Sequence, residues 1–317
     1  ALLLAAAIPV LAIDTGASGL STLPDRFPSK QGFNALNRDV KVDVNVIAWP
    51  GYPQLTAQMA ARDPPDLVTM HTGVISDYAA KGLLEPVGPY MQEAGIAPAT
   101  LTDASLKAVT IGDQLYGLPF DTHGGLFHVN TALFEKAGLM RGGKPVLPTS
   151  ADELIAHARQ FKQRTGKPYL IQSNVGDTAY AARNLYTYMM AQGAAIFPDS
   201  RTIDLTNPQA VRVASFFKRI NDEKLGTLNM DTPAAIAAFV SGEGGIYPTG
   251  TWMIGSFETE AKTPGRPLFN SYAVFPYPRL WGEHVEYVSG HAWVVPARKR
   301  SVAQRQAIAR FFRFVAD

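Results

Sequence analysis

A strand, a helix and a second strand follow one another between Val40 and Met70, and this order constrains the fold more than any other feature. In VKVDVNVI (Val40–Ile47) valines alternate with polar residues, which is the period of a β-strand. In YPQLTAQMAAR, Leu55 and Met59 share one helical face, and the prolines of DPP end that helix. DLVTM then predicts a second strand, so the segment indicates a parallel strand–helix–strand crossover.

Helix start signals recur in the second half of the chain. Ser150 with Glu153 forms a capping box before a helical apolar pattern, Asn207 precedes a proline as an N-cap, and Thr232 does the same before TPAAIAAFVSG. Strands and helices therefore alternate throughout, which predicts an α/β protein. A chain of 317 residues is long enough for two lobes, because single cores stop growing near ~250–300 residues.

Composition excludes several classes of partner and chemistry. The 29 basic and 27 acidic residues give a net charge of +2 with no basic tract, so no nucleic-acid partner is expected. The chain has no cysteine, which excludes disulfides and thiolate metal sites. The histidines lack metalloprotease spacing, and His123 and His128 are equally well explained as strand or turn residues. The sequence thus predicts neither a metal nor a cofactor.

One motif suggests an enzyme. LAIDTGASG places Asp14 in the Asp-Thr-Gly context of an aspartic protease, but those enzymes are all-β and need two carboxylates that share a proton. A turn after a strand is favoured over a hydrolase that uses Asp14, and no enzymatic activity is expected.

The apolar start ALLLAAAIPVLA is too short to span a bilayer and is either a buried first strand or the remnant of a signal peptide. In GLMRGGKP, Pro145 stands where a phosphate-binding loop needs Ser or Thr.

Several stretches, in order, resemble the extracellular solute-binding proteins, family 1, which serve carbohydrate ABC importers and are similar to maltose-binding protein. They are GYPQLTAQMAARDPPDLVTMHT, YAAKGLLEPV, LYGLPFDTHGGLFHVNTALFEKAGL, PTSADELIAHARQF, FVSGEGGIYPTGTWMIGSF and SGHAWVVPARKRSVAQRQAIARFFRFV. The resemblance implies a type II, two-lobed periplasmic binding protein fold whose lobes are joined by crossing strands with a ligand cleft between them.

The resemblance also implies the boundaries of the lobes. Residues 1–121 and 273–317 would form the N-terminal lobe and residues 122–272 the C-terminal lobe, with further closing helices expected after residue 317. The first crossing is expected near Phe120 to Gly124 and the return near Ser271 to Phe275.

The function implied is capture of a small-molecule carbohydrate, a sugar or oligosaccharide, outside the cytoplasm. The protein would be periplasmic or otherwise extracytoplasmic, secreted or membrane-anchored, and would work as a monomer. Closure of the lobes on the ligand would create the surface that the permease subunits in the inner membrane recognise.

Sugar binding needs aromatic faces for the C–H side of a ring and polar groups for its hydroxyls. On that basis, and on the positions implied by the resemblance, the candidate ligand-binding residues are Trp252, Tyr52, His71, Asp121, His123, His291, Gly290, Tyr186, Trp281 and Asp14, with Tyr287 as a weaker candidate. Gly290 suggests a close approach of the backbone to ligand. Packing in the core or in a loop stays an alternative for each of these side chains.

A second ligand class remains open within the binding proteins. Glycerol-3-phosphate or one of its diesters would need a cationic anchor, for which Arg183 and Arg298 are available.

Overall fold

The computed structural model describes residues 8–14, 30–47, 51–176, 178–195, 197, 199, 202, 204 and 206–316. Its strands, in chain order, are β1 Ile8–Asp14, β2 Val40–Val46, β3 Leu67–His71, β4 Leu84–Glu85, β5 Thr110–Ile111, β6 Gln114–Leu115, β7 Leu118–Pro119, β8 His123–Asn130, β9 Met140–Arg141, β10 Lys144–Pro145, β11 Ile246–Gly250, β12 Tyr272–Phe275, β13 Val288–Ser289 and β14 His291–Pro296.

The α-helices, in the same order, are α1 Lys30–Leu36, α2 Tyr52–Ala60, α3 Thr72–Ala80, α4 Gly88–Ala94, α5 Asp103–Val109, α6 Thr131–Ala137, α7 Ala151–Thr165, α8 Thr178–Met190, α9 Pro208–Asp222, α10 Thr232–Val240, α11 Ile254–Lys262 and α12 Val302–Ala316. Short 3₁₀ turns lie at Pro98–Thr100 and Thr251–Met253. None of the helices in the described part of the chain has the length and apolarity that a membrane span requires.

The chain divides into two compact units. Unit 1 comprises Ala1–His123 and Ser289–Asp317, and unit 2 comprises Gly124–Val288. The predicted lobes, residues 1–121 with 273–317 and residues 122–272, differ from these units mainly at the return of the chain. The reason is that β12, where the return was expected, pairs antiparallel with β8 in the sheet of unit 2.

The sheet of unit 1 has the order β2-β1-β3-β14-β4, and β7 also pairs with β14. Strands β1, β2 and β3 are parallel, as the crossover pattern predicts, whereas β14 runs antiparallel to β3. Alternate residues of β3 and β14 face opposite sides of this sheet. Leu67 and Trp293 pack in a buried cluster with α4 and α12 on one side. Val68 and Val294 pack in another cluster with α2 and α3 on the other side. The sheet therefore has an apolar core on both of its faces.

An ion cluster ties the second segment of unit 1 to the first. The side chain of Arg300 is fully buried, and its guanidinium donates to Glu85 at 2.6 Å and to Asp66 at 3.3 Å. Arg298 donates to the same Asp66 carboxylate at 2.6 Å and to the Pro64 carbonyl at 3.0 Å. Because Arg298 is held in this way, it helps to join the two segments of unit 1.

In unit 2, β8 lies between β11 and β12 and runs antiparallel to both. The local signals read from the sequence recur here: Ser150 caps α7 by accepting from the Glu153 N–H, and Asn207 caps α9. The expected cap at Thr232 is corrected, because the Asp231 side chain accepts the N–H at the start of α10. The sequence GLMRGGKP forms a β9–β10 hairpin whose two central glycines have positive φ.

Candidate functional site

The candidate residues of unit 1 collect at one end of its sheet. His71 ends β3 and His291 begins β14, and the two are direct partners in the antiparallel register. Opposed residues of an antiparallel pair project to the same face, and the two imidazole centroids lie 4.3 Å apart. The next candidate segment enters beside them, since β7 pairs with β14 and the Phe120 N–H donates to the His291 carbonyl.

Asp121 holds His291 by both its backbone and its ring. The His291 backbone N–H donates to Oδ1 of Asp121 at 2.6 Å, and the ring Nδ1 donates to Oδ2 at 2.8 Å. Gly290 has to be small for this contact, because a Cβ at that position would lie 2.5 Å from the Asp121 carbonyl oxygen. The structure thus shows the Gly290 backbone close to Asp121, and its predicted approach to ligand stays a prediction.

The histidines also set the charge of Asp121. Burial by itself raises the pKa of this carboxyl, but the side chains of His123 and His291 and the His291 backbone N–H outweigh that effect and hold the pKa well below its usual value. His291 contributes by direct hydrogen bonds, whereas His123 Nδ1 lies 3.8 Å from Oδ1. Asp121 is therefore an anion at neutral pH and acts as a fixed hydrogen-bond acceptor.

Tyr52 contacts both the backbone and the ring of His71, as Asp121 does for His291. The His71 backbone N–H donates to the Tyr52 hydroxyl oxygen at 2.9 Å, and the same oxygen lies 2.7 Å from His71 Nδ1. Tyr52 begins α2, so this pair fixes the start of that helix against the end of β3.

His123 completes a group of three imidazoles. Its ring lies 4.5 Å from that of His291 and 5.8 Å from that of His71, measured between centroids. His123 and His291 are both buried. Spacing along the sequence gave no hint of this cluster, because its members come from three distant segments.

The candidates of unit 2 gather around Trp252. This side chain lies in the 3₁₀ turn after β11, is half-buried and packs against the cluster that contains Phe257. The Arg183 guanidinium carbon lies 5.3 Å from the centre of the Trp252 ring and 5.7 Å from that of Tyr287. Both distances fit cation–π contacts, so one basic group bridges two aromatic rings.

A histidine shapes the backbone beside Trp252. His128 Nε2 lies 3.1 Å from the Gly250 carbonyl oxygen, and its Nδ1 lies 2.7 Å from the Tyr272 hydroxyl. A Cβ on Gly250 would collide with the Trp252 ring, so only glycine allows the indole to fold back over the end of β11. The Arg183 contact was not predicted, because nothing in the sequence links α8 to the turn after β11.

Three further candidates lie apart from these groups. Trp281 packs edge-on against Tyr188 and Phe216, both at 5.1 Å between centroids, which favours the core alternative for this residue. Tyr186 stacks on Phe197 at 5.8 Å, and burial raises the pKa of its hydroxyl. Asp14 is the last residue of β1, as the strand alternative predicts, and its side chain lies outside the described residues, as do residues 1–7.

Comparison with known proteins gives a consistent picture. A family model described as bacterial extracellular solute-binding protein matches residues 16–317. Curated relatives from Brucella abortus and Brucella suis are 26% identical over 239 residues, which is 73% of this chain. The chain spans 56% of the length of these relatives.

Solved structures of low sequence identity share the fold. A maltose-bound protein of T. maritima has a TM-score of 0.81 at 17% identity, covering 98% of this chain and 78% of that one. An ABC substrate-binding protein of Listeria monocytogenes, in complex with cycloalternan, has a TM-score of 0.78 at 21% identity, covering 96% and 75%. A protein of Mycobacterium tuberculosis in complex with glycerophosphocholine has a TM-score of 0.77 at 19% identity, covering 98% and 77%. The fold is therefore the type II, two-lobed solute-binding fold.

Proposed function

Because this chain belongs to the family of bacterial extracellular solute-binding proteins, we propose that it binds a sugar or oligosaccharide and supplies it to an ABC importer. The family consists of binding proteins, and similar folds are known with maltose, cycloalternan and glycerophosphocholine. The proposal takes the protein to be extracytoplasmic, to work without catalysis, and to present its ligand to a membrane permease after its lobes close.

The observation that carries the proposal is the polar group at the end of the unit 1 sheet. Four segments of unit 1 bring five side chains within hydrogen-bonding or ring-contact distance of one another: Tyr52, His71, Asp121 with His123, and His291. A carboxylate accepts hydroxyl protons strongly, while imidazole and phenol groups both donate and accept. This is the mixture that a rim of sugar hydroxyls requires.

Trp252 offers an aromatic face for a sugar ring in unit 2. Its half-buried indole packs against the apolar cluster and has the Arg183 guanidinium over its ring, so little side-chain freedom would be lost on stacking against a sugar ring.

Calorimetric titration with mono-, di- and oligosaccharides tests the proposal, after a thermal-shift screen has found the responding sugar. Trp252→Ala should weaken binding by more than about 1 kcal/mol, roughly the value of an aromatic contact beyond its area. Phe269→Ala, which removes an exposed aromatic ring of the same unit, is the matched control and should bind normally. Unchanged affinity in Trp252→Ala would remove this residue from the site, and no response to any sugar would refute the sugar proposal.

One observation favours a second candidate, a phosphorylated polyol such as a glycerophosphodiester. Arg183 places a cation between two aromatic rings in unit 2, a setting that suits an anionic or diester group. In the same titrations, a response to glycerol-3-phosphate or its diesters that disappears in Arg183→Met, with no response to neutral sugars, would select this candidate.

A further inference from the structure

We propose that His71, His123 and His291 form a binding site for a divalent transition-metal ion of the zinc type. Each residue offers a ring nitrogen, and these ligand atoms all lie within 4.8 Å of one another. The site lies wholly within unit 1, and its three histidines belong to the polar group that the sugar proposal uses.

The ligand set is the first argument. Imidazole nitrogen is a preferred ligand of zinc, copper and nickel, and three histidines with one open position are a known zinc arrangement. Tetrahedral zinc with bonds of 2.0–2.1 Å sets its nitrogens about 3.4 Å apart. From separations of up to 4.8 Å, the ligand atoms would have to approach one another by at most about 1.4 Å, which rotations of the three side chains can supply.

The state of His291 is the second, independent argument. Its side chain is only 8% exposed, and among the described residues its Nε2 has no hydrogen-bond partner. A buried polar nitrogen without a partner destabilises the folded protein, and a bound ligand would remove that penalty. Since Nδ1–H is committed to Asp121, the Nε2 lone pair faces outward from that bond and is available to a metal.

The surroundings of the histidines form the third argument. A metal-bound imidazole usually gives its other N–H to a carboxylate or another oxygen, which fixes the ring and increases its basicity. Asp121 takes this role for His291 at 2.8 Å, and the Tyr52 hydroxyl contacts His71 Nδ1 at 2.7 Å. Asp121 and Tyr52 are therefore positioning residues.

The number of protein ligands indicates the kind of site. Structural zinc sites are closed by four protein ligands, whereas three leave a position for water or for an exogenous oxygen. The described residues offer three, so the metal would retain an exchangeable ligand. A hydroxyl or carboxylate of a bound solute has the chemistry to take that place.

Competition of the metal-stripped protein with a chromophoric chelator for Zn²⁺ tests the proposal. The wild-type chain should take up one Zn²⁺, and His71→Ala, His123→Ala and His291→Ala should each lose at least tenfold in affinity. His284→Ala is the matched control, because His284 is an exposed histidine of unit 2, and it should bind as the wild type does. Circular dichroism and thermal unfolding without metal would show which variants are folded.

Variants that retain all three ligands keep the test decisive if an alanine variant fails to fold. Asp121→Asn and Tyr52→Phe should weaken Zn²⁺ binding by about 10–100-fold and about tenfold, respectively, as expected for residues that orient ligands. Substitution with Co²⁺ should give the intense visible absorption of a four-coordinate ion, which a histidine cluster that only packs would not produce.

Two results would overturn the proposal: no Zn²⁺ uptake by the wild-type chain, or uptake that neither the three alanine variants nor Asp121→Asn reduces. The solute titrations, repeated in EDTA and with Zn²⁺, keep the two proposals apart. Solute binding without zinc uptake would refute the metal site alone, and zinc uptake without solute binding would refute the sugar proposal alone.

Discussion

His128 in unit 2 and His291 in unit 1 are both buried imidazoles, but their nitrogens are satisfied differently. Both nitrogens of His128 have partners, the Tyr272 hydroxyl and the Gly250 carbonyl. Of the His291 nitrogens, only Nδ1 has a partner among the described residues, the Asp121 carboxylate. Burial alone therefore does not identify a functional histidine. A ring with both nitrogens hydrogen-bonded stabilises the fold around it. A ring with one hydrogen-bonded nitrogen is held so that its other nitrogen can bind a ligand.

The largest effect expected concerns the charge of His128. Burial lowers its pKa from 6.5 to about 4, against a smaller opposing effect of the Gly250 carbonyl. Below pH 6.5 the unfolded chain takes up a proton that the folded chain does not, so the free energy of unfolding should fall by roughly 3 kcal/mol between pH 6.5 and 4. Urea unfolding across this range measures it.

His128→Gln is the variant that isolates this contribution. It should lose the part of the pH dependence that lies between pH 6.5 and 4. An unchanged dependence would show that His128 is protonated in the folded protein and that the comparison with His291 does not hold. Asp121 acts in a separate window: its contribution is present above the ordinary carboxyl pKa of 3.8 and is lost only as the pH falls through its lowered folded value.

A smaller effect is expected from Asp121→Ala. This change leaves the Nδ1–H and backbone N–H of His291 without their acceptor, and the free energy of unfolding should fall by roughly 2 kcal/mol. Asp77→Ala, which breaks an exposed ion pair with Lys81, is the control and should cost about 0.5 kcal/mol or less. Equal effects in chemical denaturation would mean that Asp121 is no more than another surface carboxylate.

A weaker destabilisation is expected when His128 loses one of its two partners. Tyr272→Phe removes the partner of His128 Nδ1 and gives this ring one unsatisfied nitrogen, like that of His291. The expected loss in free energy of unfolding is about 1 kcal/mol, the net value of an ordinary hydrogen bond. Tyr186→Phe should be neutral, since its hydroxyl makes no hydrogen bond with the residues that the structure describes. A neutral Tyr272→Phe would show that His128 does not need this partner.

The sequence predicts the local parts of this fold well. Strands β2 and β3, helix α2 and the caps at Ser150 and Asn207 depend on signals within a few residues of one another. The valine alternation of β2 is less informative about burial, because Val42 is buried while Val46 is exposed near the end of the strand. Neighbouring strands and helices, which a short pattern does not reveal, decide that outcome.

What could not be predicted depends on contacts between distant segments. The return of the chain was expected near Ser271 to Phe275, but Tyr272 pairs with Asn130 in the unit 2 sheet. Likewise, the three histidines and the Arg183–Trp252 contact become neighbours only when separate elements pack. Spacing rules for metal sites cover ligands on one helix or one loop, so a site assembled from β3, β14 and the start of β8 escapes them.

Strand β14 has a consequence for how the protein is made. Unit 1 needs β14 as the neighbour of β3, yet β14 is translated after all of unit 2. During synthesis, one side of β3 stays unpaired until residues 291–296 leave the ribosome, and unpaired strand edges invite association with other chains. Unit 2 is continuous in sequence and can finish folding first. Pairing with β14 is therefore what closes this edge of β3.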